Sequence, residues 1–194
     1  MAIEKFVFTE NLLNLGAVIY GPGEDASALL ASFAARLQEQ GRHLGGVVQH
    51  NNDGCGPAAP MALTDLLTNH SISICQNLGR ESSSCKLDPA GLANAAQAVR
   101  QAIDANVDLV IINKFGKSEA EGRGMRAEIA DAIVTGLPVL TAVSLRVYDA
   151  WQDFTSGFGT TLLCDEAIID DWWADLSKKL DRRRAASKLA LFPA

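Results

Sequence analysis

The chain has 194 residues, 48% of them apolar and 21% charged, so it can bury an ordinary core and is not a disordered segment. Its 17 Lys and Arg against 23 Asp and Glu leave a net charge of −6, which argues against nucleic acid or an anionic membrane as partner. No apolar run approaches the ~20 residues that span a bilayer, and no basic-then-apolar leader opens the chain, so the expected compartment is the cytoplasm.

In chain order, Gly16-Ala17-Val18-Ile19-Tyr20 reads as a first strand, stopped by Gly21-Pro22-Gly23. Asp25 is placed to cap a helix whose apolar positions Ala26, Leu29, Leu30, Phe33, Ala34 and Leu37 recur at helical spacing. Gly41 closes it, and Gly45-Gly46-Val47-Val48-Gln49 reads as a second strand, a β-α-β unit whose natural product is a parallel pair. Asn51 to Pro60 reads as a loop; Ala62–Leu67 and Ser71–Gln76, around Thr68-Asn69-His70, read as an inserted hairpin. Another polar loop, Gly79–Lys86, leads to Asp88-Pro89, an N-cap followed by proline at the first helical position, with Leu92, Ala95, Ala96, Val99 and Ile103 as the buried face.

Asp108-Leu109-Val110-Ile111-Ile112-Asn113 reads as a strand buried on both faces, hence central and parallel. A glycine-marked polar loop, Phe115–Gly124, precedes a helix carrying Met125, Ile129, Ala132 and Ile133, which Gly136 and Pro138 terminate. Val139–Val143 is a further strand, followed by a short helix near Tyr148–Phe154 and a glycine-rich turn. The last helix carries Ile169, Trp172, Leu176 and Leu180, and Arg182-Arg183-Arg184 reads as its solvated terminus. The Trp172-Trp173 pair there fits either a core or a dimer contact, which leaves a homo-oligomer open. The expectation is a single three-layer α/β domain over 1–194, with a core of about 15–176, peripheral segments at 1–14 and 177–194, and a small β-hairpin insertion.

Cys55, Cys75, Cys85 and Cys164 contain no closely spaced pair and share no metal-ligand spacing with His43, His50 or His70. They read as free thiols, and no metal site is expected. Cys85 and Asp88 beside Arg80 and Glu81 suggest a polar cluster, although Asp88 is already explained as a cap; His50 stands at a strand end where it could face a ligand.

Ligands of open α/β sheets settle at the carboxyl ends of the strands. Four loops should converge there: Gly21–Ser27, Asn51 onward, Lys114–Arg126 and Ser144–Tyr148. The first has the position of a phosphate-binding loop, with Gly21, Gly23, Asp25, Ala26 and Ser27 as candidate ligand contacts through their backbone N–H groups. Against the pattern G-x-x-x-x-G-K-[ST] counted from Gly21, the last three places are Ala26, Ser27 and Ala28, so the second glycine, the lysine and the metal-binding hydroxyl are missing. Glu24 and Asp25 would oppose an anion, and a plain strand-turn-helix junction is the competing reading. Where such proteins carry an acidic residue at the end of a central strand to hold Mg²⁺, this chain has Asn113-Lys114.

The loop Lys114–Arg126 is more informative. It holds three glycines and the cations Lys114, Lys117, Arg123 and Arg126, with Glu119 and Glu121 among them. Glycines let backbone approach a ligand, and guanidinium and ammonium groups recognise oxyanions. Asn113, Lys114, Gly116, Lys117, Glu119, Gly122, Arg123 and Arg126 are therefore candidate ligand contacts; a solvated, salt-bridged loop is the alternative.

Gly23-Glu24-Asp25-Ala26, the helix Leu29–Leu37, Gly46-Val47-Val48-Gln49, Cys85-Lys86-Leu87-Asp88-Pro89 and above all Asp108–Gly124 resemble the bacterial family labelled domain of unknown function 2478, over roughly Gly16 to Trp173. Members of that family are often encoded near molybdate-transport genes. Some carry a dehydroquinate dehydratase label, whose Schiff-base lysine or acid/base histidine nothing here supports. The same stretches are distantly similar to small P-loop nucleoside triphosphatases of the thermophile type, which match the strand-loop-helix-strand order and the pattern Gly116-Lys117-Ser118-Glu119. The resemblance implies a P-loop-NTPase-like three-layer fold with a mainly parallel sheet. It also implies a binding protein for a small anion, molybdate or tungstate, or for a nucleotide, acting in molybdenum homeostasis without efficient hydrolysis and with no catalytic residue. The alternative is a noncanonical Mg²⁺-dependent nucleoside triphosphatase in which Lys114 or Lys117 replaces the missing lysine and Glu119 positions water.

Overall fold

The computed structural model describes residues 14–50, 61–75 and 88–191. Its strands are β1 (Leu15–Tyr20), β2 (Leu44–His50), β3 (Ala62–Asp65), β4 (Ser71–Ser73), β5 (Leu109–Phe115), β6 (Val139–Ser144) and β7 (Thr160–Leu163). Its helices are α1 (Ala26–Glu39), α2 (Pro89–Asp104), α3 (Lys117–Ala120), α4 (Arg126–Val134), α5 (Tyr148–Thr155) and α6 (Glu166–Leu191), with a 3₁₀ turn at Leu145–Val147.

The strands form one sheet in the order β4-β3-β2-β5-β6-β1-β7. β2, β5, β6, β1 and β7 run parallel, while β3 and β4 add antiparallel at one edge, as the hairpin reading expects. One layer packs α1 and α6 on Val18, Val48, Leu109, Ile111, Leu140 and Ala142. The opposite layer brings α2, α4 and α5 onto Ala17, Val47, Val110, Ile112, Val139 and Val143. β5 is buried on both faces, because its apolar run serves both layers.

Four features differ from the sequence reading. β1 and β2 are parallel but not paired: β5 and β6 lie between them, because the crossover through α1 spans two strands. β7 falls where the sequence predicts a glycine-rich turn; with only Leu162 buried, its exposed pattern carries no core periodicity. Arg182-Arg183-Arg184 stand inside α6, which runs on to Leu191. Cys75 is disulfide-bonded, which corrects the free-thiol reading at this position, since sequence spacing does not report which cysteines the fold brings together. Cys164 is free, and Cys55 and Cys85 lie outside the described residues.

The tryptophan pair is part of the packing: Trp173 is buried, and the ring of Trp172 lies against Gly16 so closely that a Cβ there would meet it at 2.7 Å. Among the described residues, no helix is long and apolar enough to cross a membrane.

Candidate functional site at the carboxyl edge of the sheet

The central strand breaks its own alternation at the end that matters. Ile112 pairs with Thr141 but Phe115 pairs with Val143, so β5 carries one extra residue there. Leu109 and Ile111 face α1, while Val110, Ile112 and Phe115 face the other layer. With Phe115 returned to the second face, the two intervening residues, Asn113 and Lys114, are both released towards the α1 side. Thr141, fully buried, donates its hydroxyl to the Ile112 carbonyl at 2.7 Å, where the ladder is interrupted.

Asn113 is 4% exposed, and its Nδ2 donates to Ser27 Oγ at 3.0 Å in the first turn of α1. Its Oδ1 is buried with no hydrogen-bond partner among the described residues. Lys114 is exposed and extends over the end of β6 to bring Nζ 5.8 Å from the centroid of the Tyr20 ring, at the last residue of β1. β5, which carries Lys114, is separated from β1 by β6 in the sheet.

The glycine loop is occupied by its own carboxylates. The Gly21 N–H donates to Glu24 Oε2 at 2.5 Å, and Asp25 caps α1 by accepting from the Ala28 N–H at 2.9 Å. Gly23, at φ +89°, is exposed with open space around it, and Ala26 is buried at the start of the helix. Burial first, then the carboxylates of Glu24, Asp25 and Asp165, push the thiol of Cys164 at the end of β7 above its usual range. The β1 and β7 side of this edge is therefore acidic, and the cations stand on the β5 side.

The loop after β5 is organised around Glu119, which is 6% exposed. Its Oε2 accepts from the Gly116 N–H at 2.9 Å and its Oε1 from the Met125 N–H at 3.0 Å, tying the two ends of the loop together. Gly124, at φ +63°, is required by this arrangement, because a Cβ there would fall 1.9 Å from Glu119 Oε1. Arg126 donates to the Glu119 carbonyl at 3.0 Å and lies over the Phe154 ring at 4.3 Å, so it serves the loop and does not reach the glycine loop. Lys117 and Arg123 are exposed and both engage Glu121, and Gly122 is an exposed turn position at φ +80°.

The structure thus brings Ser27, Asn113 and Lys114 to one place and sets Lys117, Gly122, Arg123 and Arg126 on the neighbouring loop. Sequence reasoning missed Tyr20, whose signal was an aromatic residue ending a strand just before a glycine turn. It also missed Arg146, exposed in the 3₁₀ turn that follows β6 at the same edge. Asp88 acts as the cap of α2, accepting from Ala90 and Gly91 N–H. Arg80, Glu81, Cys85, the loop from Asn51 and the side chain of His50 lie outside the described residues. Among the described residues no cluster of three His, Cys, Asp or Glu side chains could hold a metal ion.

A groove of about 400 Å³ lies elsewhere, between α1 and α6 and lined by Arg36, Arg42, Asp170, Trp173, Ser177 and Asp181. It sits about 15 Å along α1 from Ser27 at the helical rise per residue. Two of its cations are already paired, Arg36 with Glu166 and Asp170 and Arg42 with Asp181, and Lys178 lines it as well.

The family described as "Protein of unknown function (DUF2478)" has a model that matches residues 15–172. A curated relative, the "Molybdenum import ATP-binding protein ModC 2" of Bradyrhizobium diazoefficiens, is 50% identical over 171 residues. That match covers 88% of this chain but 19% of the relative, so the chain spans about a fifth of that protein's length. Among solved structures, a human cancer-related nucleoside triphosphatase superposes with a TM-score of 0.55 at 13% identity, covering 76% of this chain and 85% of that one. The fold is P-loop-NTPase-like.

Proposed function

The chain belongs to the DUF2478 family, and from that premise we propose that it is a P-loop-derived module binding a small oxyanion or nucleotide, without efficient hydrolysis. The observation that carries the reading is the extra residue in β5, beside which Asn113 bonds Ser27 in the first turn of α1 and Lys114 lies against Tyr20 at the end of β1. Bulges of this kind re-aim side chains at ligand sites, and a helix N-terminus supplies donors for an anion. Molybdate or tungstate is the first candidate ligand, because the relative at 50% identity is a molybdenum import protein. Its name describes a chain of which this one matches 19%, so ATP binding is a second candidate and not a premise.

Binding is favoured over hydrolysis by two features. Asn113, a neutral amide, stands where a metal-holding carboxylate would be needed. Glu119, the residue that would have to position water, uses both carboxylate oxygens on backbone N–H groups.

Calorimetry in Mg²⁺-free buffer with molybdate, tungstate, phosphate and nucleotides tests the reading. At least one should bind, and Lys114→Ala should weaken it about ten-fold or more, the value of a charge-assisted contact. Absence of heat with every ligand sinks the proposal. Mg²⁺-dependent phosphate release by the unaltered chain would establish the noncanonical triphosphatase instead.

A further inference from the structure

The site contains one buried polar atom that its own residues leave unanswered, and its chemistry restricts the ligand. Asn113 Oδ1 has no hydrogen-bond partner among the described residues, while Nδ2 of the same amide is committed to Ser27 Oγ. This oxygen lies at the start of a 14-residue helix, so two independent features meet: backbone donors that favour an anion and a buried acceptor that does not. A carboxamide oxygen only accepts. A bare anionic oxygen set against it would be repelled and would leave it unsatisfied, whereas a ligand oxygen that carries a proton would donate to it.

Resting on the binding site inferred above, we propose that Asn113 is its specificity determinant and that the site takes a tetrahedral oxyanion bearing a proton. The class is hydrogen phosphate or a phosphate monoester in its protonated form. Its hydroxyl donates to Asn113 Oδ1. Its bare oxygens accept from the Ser27 hydroxyl, whose oxygen is the acceptor towards Asn113, and from the Lys114 ammonium, the Ala28 N–H of the first turn being held by Asp25. Sites built to meet a ligand hydroxyl reject analogues lacking it, because the protein group is then left unpaired. Sulfate, equal in shape but without a proton near neutrality, is the matched analogue to be rejected; molybdate and tungstate, likewise unprotonated near neutrality, fall with it, so the assignment favours phosphate or a nucleotide among the ligands named above.

The test is calorimetry on the full chain at one pH, 6.5, without Mg²⁺, using phosphate, adenosine monophosphate and sulfate. A single pH keeps the protonation of the three ligands fixed throughout the comparison. Phosphate or the monophosphate should bind at least about ten-fold tighter than sulfate. Whichever of the two is tighter identifies the source, free anion or nucleotide. Asn113→Leu, which removes the acceptor at similar size, should abolish the preference. Asn113→Asp, which keeps the acceptor and a partner for Ser27, should retain the preference while weakening all three anions. Equal binding of sulfate and phosphate by the unaltered chain, or a preference that survives Asn113→Leu, overturns the assignment while leaving the binding site standing. Absence of binding by all three, and by molybdate, overturns both.

Discussion

Glu119 is the residue on which the basic loop depends, because its two carboxylate oxygens satisfy backbone N–H groups nine residues apart, at Gly116 and Met125. Removing them in Glu119→Ala leaves two donors unmet, the Met125 one fully buried, at about 1–3 kcal/mol each. We expect a loss of about 2–4 kcal/mol by urea denaturation, with faster tryptic cleavage after Lys117 and Arg123. Glu119→Gln should fall between, since an amide accepts one bond and turns its own donors towards the other N–H. Unchanged stability and unchanged cleavage in Glu119→Ala would refute this role. Cys164 makes a second residue-scale case. Burial and the Glu24, Asp25 and Asp165 carboxylates raise its thiol above the usual 9.0, so the folded chain holds this proton more tightly than the unfolded one. Its contribution to stability is therefore complete below the unfolded pKa and is lost as pH rises through the higher folded value. Iodoacetamide at pH 8 should alkylate Cys164 more slowly in the folded protein than in urea, and Glu24→Gln should quicken the folded-state reaction; equal rates in both states would contradict the shift.

At the scale of elements, the close approach of β2 to β5 is set by Gly46. It sits at φ +95°, opposite Ile111, and a Cβ would meet the Ile111 carbonyl oxygen at 2.1 Å. Gly41, after α1, has φ +78° but nothing within 4 Å of its Cβ position, so the pair separates backbone strain from collision. Gly41→Ala should cost about 1–2 kcal/mol. Gly46→Ala should cost more than about 3 kcal/mol, a fall in Tm of roughly 10 °C or a failure to fold. Equal losses in the two variants would show that the approach is not tight. Helices α1 and α2 were legible because each had a capping aspartate and a periodic face, at Asp25 and Asp88. The buried run of β5 was legible for the same reason, burial on two faces. β7 was not, since Thr160 and Thr161 are exposed edge residues with no pattern to read. The extra residue in β5 was also invisible, because Asn113-Lys114-Phe115 reads equally well as a strand that stops and as one that bulges.

For the molecule as a whole, net charge and site charge have opposite signs. The chain carries −6, and Glu24, Asp25 and Asp165 gather on the β1 and β7 side of the carboxyl edge, whereas Lys114 stands near the end of β5 and Lys117, Arg123 and Arg126 follow it. The basic loop could be found in the sequence because four cations fall within 13 residues of an acidic chain. Which of them face the glycine loop could not, since Arg126 is drawn onto Phe154 and Arg123 onto Glu121 by contacts that depend on the folded loop. Of those four, Lys114 is the one carried beside Tyr20, at the end of the strand that enters the glycine loop. The sign of the salt dependence decides whether the local or the global field governs an anion there. If the whole-molecule charge dominates, salt screens a repulsion and affinity rises. If Lys114 and its neighbours dominate, salt screens an attraction and affinity falls, because ionic strength near 1 M shortens the screening length to about 3 Å, below the reach of an exposed ammonium to its ligand. The second outcome is expected. Between about 0.02 and 0.5 M salt the dissociation constant of the bound anion should increase severalfold, and Lys114→Ala should flatten that slope. Sodium chloride and sodium glutamate run side by side separate competition by chloride from screening, and an affinity that rises with both salts would place the anion away from Lys114.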